Sequence, residues 1–372
     1  MFVIDARPAG SGTRKQIKRR GFRTKAEAID ALNDLTTQLD NGLHVEPSRL
    51  TVADYFDHWL ETLPVTGLRT TTIASYRRKV DSYIKPHLGD IRLQELNAAD
   101  LDRLYGHMRT VGGVSGRPLS ARTVRYAQSI IGKALSDAER KSLVQRNVAR
   151  LASPPSPTAA RAKEPRVWSP QELGEFLAFV ETSGSAHCPL LRLAAFTGMR
   201  RSELCGLRWD DVDLDGATLT VRRTVTSVDH ERVEGAPKSA RSRRNIDIDE
   251  GTVRILRTWR REQRELRLLA GEGWIETGLV FTMPDGTGWH PDVVSRQFRR
   301  LVEASGLPKL SVHGLRHTHT THLLATGQNP RLVAERLGHS DVAFTLQVYG
   351  HVLPGQQADA AAAVARLVDE CR

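Results

Sequence analysis

Four side chains near the C-terminal end, His313, Arg316, His339 and Tyr349, fall in a fixed order within SVHGLRHTHTTHLLATGQNPRLVAERLGHSDVAFTLQVYGH, residues 311 to 351. His313 and Arg316 stand three apart, so on a helix they share a face and can address one anion together. Such a pair suits a phosphate. The punctuation of the stretch predicts three short helices to carry these groups. One runs on from His313 until Gly327 stops it, the second is capped by Asn329 with Pro330 at its first position and ends at Gly338, and the third starts at Ser340. Tyr349 falls at or near the end of the third.

H-x-L-R-H, then L-G-H-S, then a lone Tyr in V-Y-G-H together resemble the second half of the active site of tyrosine recombinases, the phage integrase family. His339 follows Arg316 by 23 residues and Tyr349 follows His339 by 10, spacings that fit the family. The resemblance requires an upstream Arg in a T-G-x-R-x-x-E-L segment and a Lys on a β-hairpin between the two halves. TGMRRSEL supplies Arg200 with Glu203, and GAPKSARSRRNIDI supplies Lys238. Polar positions matching in order across about 150 residues are more specific than one short motif. Alone, Arg200 reads as half of a surface ion pair with Glu203. Within the ordered set, Glu203 holds Arg200 in place. Arg241, Arg243 and Arg244 compete with Lys238 for its role, and the family pattern selects Lys238.

A phosphodiester resists nucleophiles because of its charge, and in-line displacement builds more charge on the nonbridging oxygens. Arg200 and Arg316 suit those oxygens, since guanidinium stays charged and binds bidentately. Preorganised charge of this kind carries most of such catalysis. By the resemblance Tyr349 is the nucleophile, forming a 3′-phosphotyrosyl enzyme that stores the bond energy for religation. Lys238 is then the general acid for the leaving 5′ oxygen, His313 assists proton movement at Tyr349, and His339 hydrogen-bonds the phosphate. No cofactor is expected, neither a metal ion nor ATP. The family exchanges strands in pairs through a Holliday junction, which implies a homotetramer on double-stranded DNA attachment sites, with host DNA-bending or directionality factors as further partners. The reading is a site-specific integrase of a prophage or other mobile element. A non-catalytic architectural DNA-binding protein and a type IB topoisomerase-like enzyme are the alternatives.

Zinc is the rival for the histidines, because His313, His317, His319 and His322 crowd one helix and i,i+4 pairs can hold it. There is no H-E-x-x-H and no obvious third ligand. The expectation is no metal, with His317, His319 and His322 packing, facing DNA or solvated.

The whole chain has 372 residues, room for two or three domains. A formal net charge of +11 favours a polyanionic partner, either nucleic acid or an acidic membrane surface. Aromatics are 6% of the residues, which fits a helical, charge-rich duplex binder better than a base-stacking single-strand binder. Cys188, Cys205 and Cys371 are odd in number and form no C-x-x-C pair, so neither a disulfide framework nor a zinc site is suggested. The N-terminus lacks a basic segment followed by an apolar run, and no apolar stretch approaches the roughly 20 residues of a membrane helix. A cytoplasmic protein acting on DNA, with no membrane partner, is expected.

The elements that must position these groups follow from periodicity. The fold class expected is mixed α/β, mainly α. Residues 1–45 read as FVIDARP, a turn at Gly10, Ser11 and Gly12, a second strand, and a helix from Thr24 to near Gly42. Arg14, Lys15, Lys18, Arg19, Arg20, Arg23 and Lys25 occur there with no acid among them. This part is similar to the arm-binding domain of many integrases, a three-stranded sheet laid in the major groove and backed by one helix. Two strands are readable here. An arm domain implies a second class of DNA site flanking the exchange point.

Residues 51–150 read as all-helical. Thr51, Asn97 and Ser120 are caps, and Ile73, Tyr76, Val80 and Ile84 form one apolar face with Arg77, Arg78 and Lys79 turned outward. Arg122, Arg125 and Lys133 are expected to be exposed. The segment resembles the family's core-binding domain, which implies phosphate contacts from Thr70, Thr71, Thr72, Arg77, Arg122 and Arg125. Residues 151–165, rich in Pro, Ala and Ser, mark an extended linker, so that two domains can clamp a duplex. The catalytic domain spans 166–372. It is mainly helical with a small antiparallel sheet, whose first hairpin turns at Asp215 and Gly216 and whose third strand is RRNIDID, Lys238 lying in the connection between the second and third strands. A helical tail, apolar at Ala363, Val364, Leu367 and Val368, caps its own domain or docks on a neighbouring protomer.

Overall fold

The computed structural model describes residues 1–5, 16–40, 45–113, 116–161, 164–236, 242–339, 341–343, 346, 362, 364–366, 368 and 369. Two compact units divide the chain, Met1–Ala162 and Lys163–Arg372.

In the first unit β1 (Phe2–Asp5) pairs antiparallel with β2 (Gln16–Arg19), Phe2 opposite Arg19 and Asp5 opposite Gln16. Helix α1 (Lys25–Asp40) follows, and Phe2 stacks on Phe22 with ring centroids 5.4 Å apart. Lys18, Arg19, Arg20, Arg23 and Lys25 are exposed. The expected turn, with Arg14 and Lys15, lies outside the described residues.

The helical part comprises α2 (Val52–Thr62), α3 (Thr70–Lys79), α4 (Lys85–Leu88), α5 (Ala98–Thr110) and α6 (Ala121–Arg140). Thr51 with Asp54, and Asn97 with Asp100, form capping boxes, and Ser120 caps α6. Each satisfies amides that the first helical turn leaves unpaired. Phe56, Trp59 and Leu60 of α2 meet Leu101, Leu104 and Met108 of α5 and Val124, Ile130 and Leu135 of α6 in one core. Burial of each such side chain contributes about 1.5–3 kcal/mol. Tyr55 joins them by donating its hydroxyl to the Ala134 carbonyl at 2.7 Å.

Three expectations are corrected here. A π-helical turn, Val80–Ile84, interrupts the helix after α3. Its extra residue shifts the buried face, so Tyr76, Val80 and Ile84 are buried while Ile73 only packs against the edge of the core. Lys79 lies over the Tyr83 ring, 4.9 Å from its centroid, instead of pointing outward. Arg125 is half-buried and donates to the Pro155 carbonyl at 2.8 Å. Arg77, Arg78, Arg122 and Lys133 are exposed, although the Lys133 ammonium also reaches the Tyr76 hydroxyl at 2.6 Å. Ser153 is tied to the same unit through Asp102, so the first residues of the expected linker are anchored.

The second unit contains α7 (Pro170–Thr182), α8 (Cys188–Thr197), α9 (Arg201–Leu204), strands β3 (Val212–Asp213), β4 (Thr218–Val221), β5 (Thr224–Val228), β6 (Glu231–Gly235) and β7 (Arg244–Asp247), then α10 (Glu250–Ala270), α11 (Pro291–Ala304), α12 (Val312–Ala325) and α13 (Pro330–Leu337). Strands β3, β4 and β7 form one antiparallel sheet with Leu219 opposite both Val212 and Ile246. The predicted turn is present, with Asp213 Oδ1 accepting from the amides of Asp215 and Gly216.

The run TVTSV does not continue the second strand. It pairs with β6 as a separate hairpin turning at Asp229 and His230, both with positive φ, 47° and 68°. Two-residue hairpin turns of type I′ need such angles at both central residues and usually signal them with Asn-Gly or Asp-Gly. Asp-His carries no such signal. Lys238 therefore follows an additional hairpin, and residues 237–241 lie outside the described set.

Helix α12 packs against α8 and α13. Trp168, fully buried, is stitched to it: its amide donates to Thr318 Oγ1 at 3.1 Å and its carbonyl bonds His322 Nε2 at 3.0 Å. His322 is thus a packing residue. The fold is mainly helical with small antiparallel sheets, and among the described residues no helix is long and apolar enough to cross a membrane.

Candidate active site

Ser311 caps α12 by accepting from the Gly314 amide at 3.0 Å, which sets His313 in the first turn and Arg316 one turn later. The two differ in environment. His313 is exposed, whereas Arg316 is 3% exposed. The Arg316 guanidinium donates through Nη1 to the Gly198 carbonyl at 2.7 Å and through Nη2 to the Leu337 carbonyl at 2.8 Å. Gly198 ends α8 in the left-handed region, φ 63°, and Leu337 is the last residue of α13.

Arg200 sits between α8 and α9 as the residue capping α9. Its amide donates to Glu203 Oε2 at 2.9 Å and its Nη1 to Glu203 Oε1 at 2.7 Å. Nη2 reaches the Gly338 carbonyl at 3.0 Å, and Nη1 lies 3.4 Å from that of Leu337. Both guanidiniums therefore converge on the C-terminal turn of α13, where carbonyls without helical partners concentrate the negative end of the helix dipole. Arg316 is enclosed, while the Arg200 side chain is 33% exposed and presents the pair to solvent.

His339 follows directly, its amide bonded to the Ala334 carbonyl. Burial lowers its imidazole pKa to about 3, and the charges of Arg316, Arg200 and Arg244 push the same way. His317 is lowered to about 4 by burial, then by His313 and Arg316, and meets the His313 ring edge-on at 4.7 Å. His313 is lowered by desolvation, with Arg316 and Arg200 next. In all three rings burial first, and the neighbouring positive charges after it, disfavour the protonated form. A bound anion would offset that repulsion and make each ring easier to protonate. His319, buried and lowered to about 3 by burial and Arg336, belongs to the packing, with Arg336 Nε 3.4 Å from its Nε2.

Lys238, Ser340 and Tyr349 lie outside the described residues. The structure brings together Arg200, Glu203, Arg316 and His339, with His313 at the rim. It adds Arg244, which the sequence reading considered only as a competitor of Lys238. Arg244 grips both oxygens of Glu203 at 3.2 and 2.9 Å. Strand alternation carried the signal, since Arg244 shares a face with the buried Ile246. Burial alone would raise the Glu203 carboxyl, but the Arg244 hydrogen bonds and charge, aided by Arg200, hold it below the usual carboxylate range. Among the described residues no three His, Cys, Asp or Glu side chains are grouped to hold a metal.

Gly198 admits no side chain. A Cβ there would stand 2.6 Å from Leu337 Cδ2 and 2.7 Å from His319 Cδ2, on backbone of positive φ. Gly198→Ala is expected to destabilise the fold by about 1–3 kcal/mol and to slow any reaction that depends on Arg316, whose acceptor it displaces. Thermal unfolding checks this; an unchanged midpoint would show that the α8–α12–α13 contact yields freely.

A sequence model of the phage integrase family matches residues 166–355, half of the chain. The chain belongs to this family. Models of the N-terminal SAM-like domain of phage integrases and of an arm DNA-binding domain match residues 51–108 and 1–39. Relatives of the integrase run nearly its whole length. A tyrosine recombinase XerC-like protein of Caldanaerobacter subterraneus subsp. tengcongensis is 26% identical, covering 91% of this chain and 88% of its own. An integrase of Streptomyces ambofaciens is 28% identical, covering 90% and 84%. Among solved structures, the Tn1549 transposon integrase in complex with a circular intermediate DNA has a TM-score of 0.68 at 20% identity, covering 86% of this chain and 99% of that one. A lambda integrase tetramer bound to a Holliday junction has a TM-score of 0.59 at 18% identity, covering 90% and 89%. At these identities the structural likeness is one of fold. The integrase is a site-specific tyrosine recombinase of the kind that serves mobile elements, and it cleaves and rejoins DNA.

Proposed function

We propose that this integrase cuts one strand at a time by attack of the Tyr349 hydroxyl on a DNA phosphodiester, and so integrates or excises a prophage or other mobile element. The phenolic oxygen bonds to phosphorus, the bond to the 5′ oxygen breaks, and Lys238 supplies the proton that makes a 5′ hydroxyl. The product is a 3′-phosphotyrosyl link, from which the reverse reaction with another 5′ hydroxyl rejoins the strand. Arg200 and Arg316 take the nonbridging oxygens, His339 bonds the same phosphate as a neutral donor, and His313 receives the phenolic proton. The observation that carries this reading is the convergence of Arg200 and Arg316 on the end of α13. Carbonyls hold both forks in place before substrate arrives, so little reorganisation is needed when charge develops.

The division of labour proposed is an arm domain in 1–45, a core-binding domain in 51–150, a linker in 151–165 and a catalytic domain in 166–372, with four copies assembling on DNA and host bending or directionality factors setting the outcome. Arg14, Lys15, Lys18, Arg19, Arg20, Arg23 and Lys25 would face arm DNA, and Thr70, Thr71, Thr72, Arg77, Arg122 and Arg125 core DNA. Supporting the second set, α3 begins without a side-chain cap, and although the Thr72 amide donates to the Arg69 carbonyl at 2.8 Å, the amides of Thr70 and Thr71 are placed for a phosphate.

The test uses labelled duplex from DNA flanking the gene, nicked near the exchange point so that the cleaved strand end diffuses away. Incubated with the integrase in EDTA without ATP, it is expected to give a covalent adduct on a denaturing gel. Peptide mapping should then place the adduct on Tyr349. An adduct on another residue, or none despite tight binding of that DNA, would refute the assignment.

A further inference from the structure

Arg244 has no part in the chemistry just described, yet it is enclosed against the site. Its side chain is 6% exposed and the Glu203 side chain 1%. Besides gripping both Glu203 oxygens, it donates Nε to the Arg336 carbonyl at 2.6 Å and Nη1 to the Ser242 carbonyl at 3.1 Å. Two features make this more than a buried ion pair. Glu203 also takes the amide and Nη1 of Arg200, so the carboxylate that orients Arg200 is shared with Arg244. The Arg336 carbonyl, moreover, lies in the same turn of α13 whose next two carbonyls receive Arg316 and Arg200. One guanidinium thus touches both anchors of Arg200. The turn is fitted closely to it: a Cβ on Gly338 would stand 2.9 Å from Arg244 Nη1.

We propose that Arg244 is a positioning residue for strand cleavage, neutralising Glu203 and pinning the end of α13 so that Arg200 is aimed at the scissile phosphate. With Arg244 gone, the buried carboxylate has Arg200 as its remaining cationic partner and draws that fork away from the phosphate. A buried ion that loses one partner is strongly unfavourable, and the displacement falls on the reaction instead of on DNA binding. The inference rests on the assignment of Arg200 to the phosphate.

The experiment measures single-turnover cleavage of the nicked duplex, and separately DNA affinity, for Arg244→Met, Arg244→Lys, Glu203→Gln, Glu203→Gln with Arg244→Met, and Arg200→Lys. Arg244→Met is expected to slow cleavage about 100-fold, the scale of a roughly 1 Å misplacement, with affinity within about twofold of the parent. In the Glu203→Gln background the same substitution should cost about tenfold less, because the charge it neutralised is gone. Arg244→Lys should recover part of the rate, and this variant with the double variant serves if Arg244→Met unfolds. An unchanged rate in Arg244→Met, an equal loss in both Glu203 backgrounds, or a loss confined to affinity would each overturn the proposal. If Arg200→Lys itself cleaves at the parent rate, it is the reading of Arg200 that fails, since lysine cannot reproduce a bidentate fork.

Discussion

Replacing Tyr349 with Phe is expected to abolish strand cleavage and the covalent adduct while leaving DNA affinity within about twofold of the parent. The substitution removes one oxygen and keeps the ring. The phosphate contacts proposed for Arg200, Arg316 and the basic residues of the first unit would not depend on that oxygen, so binding is expected to persist. On the proposed mechanism cleavage would depend on it, because the arginines would stabilise charge that develops only after a nucleophile attacks. Cleavage on a denaturing gel and fluorescence anisotropy on the same duplex separate the two quantities. Cleavage by the Phe variant at the parent rate would move the nucleophile to another residue.

Arg316→Met should lower cleavage by roughly 10²–10³-fold, the usual consequence of removing one preorganised charge donor. Two losses are combined in this variant. On the proposed mechanism the transition state loses a fixed cation, and the carbonyls of Gly198 and Leu337 lose the guanidinium that joins α8 to α13 through α12. Leaving the buried Gly198 carbonyl without this donor costs about 1–3 kcal/mol, while the Leu337 carbonyl retains Arg200 Nη1 at 3.4 Å, so the unfolding midpoint should fall as well. Arg316→Lys distinguishes the contributions. It restores a charge but cannot bridge two carbonyls with one planar group, so it should regain more activity than stability. If Arg316→Met cleaves at the parent rate while unfolding earlier, Arg316 is a structural bridge and the phosphate rests on Arg200 and other groups.

Much of the scaffold was legible because its determinants are local. Thr51, Asn97, Ser120 and Asn329 all cap the helices they were expected to cap. Gly338 ends α13 with φ 67°, as its place after the apolar run implied. Where local rules have exceptions, the reading missed: the π-helical turn after α3 broke the 3.6-residue period, and an Asp-His turn hid the β5–β6 hairpin.

The candidate site divides along the same line. The sequence by itself determined which residues to look for, because Arg200, His313, Arg316 and His339 stand in motifs whose spacing is written along the chain. It also determined that Arg200 and Glu203, three apart, would meet. Only the tertiary structure decided that Glu203 is buried and shared with Arg244, 41 residues away, and that Arg316 crosses 118 residues to the Gly198 carbonyl. Periodicity and caps act over about one turn of helix, whereas the worth of a charge depends on how much water is removed around it and on which distant backbone faces it. That environment exists once α8, α12, α13 and β7 have packed.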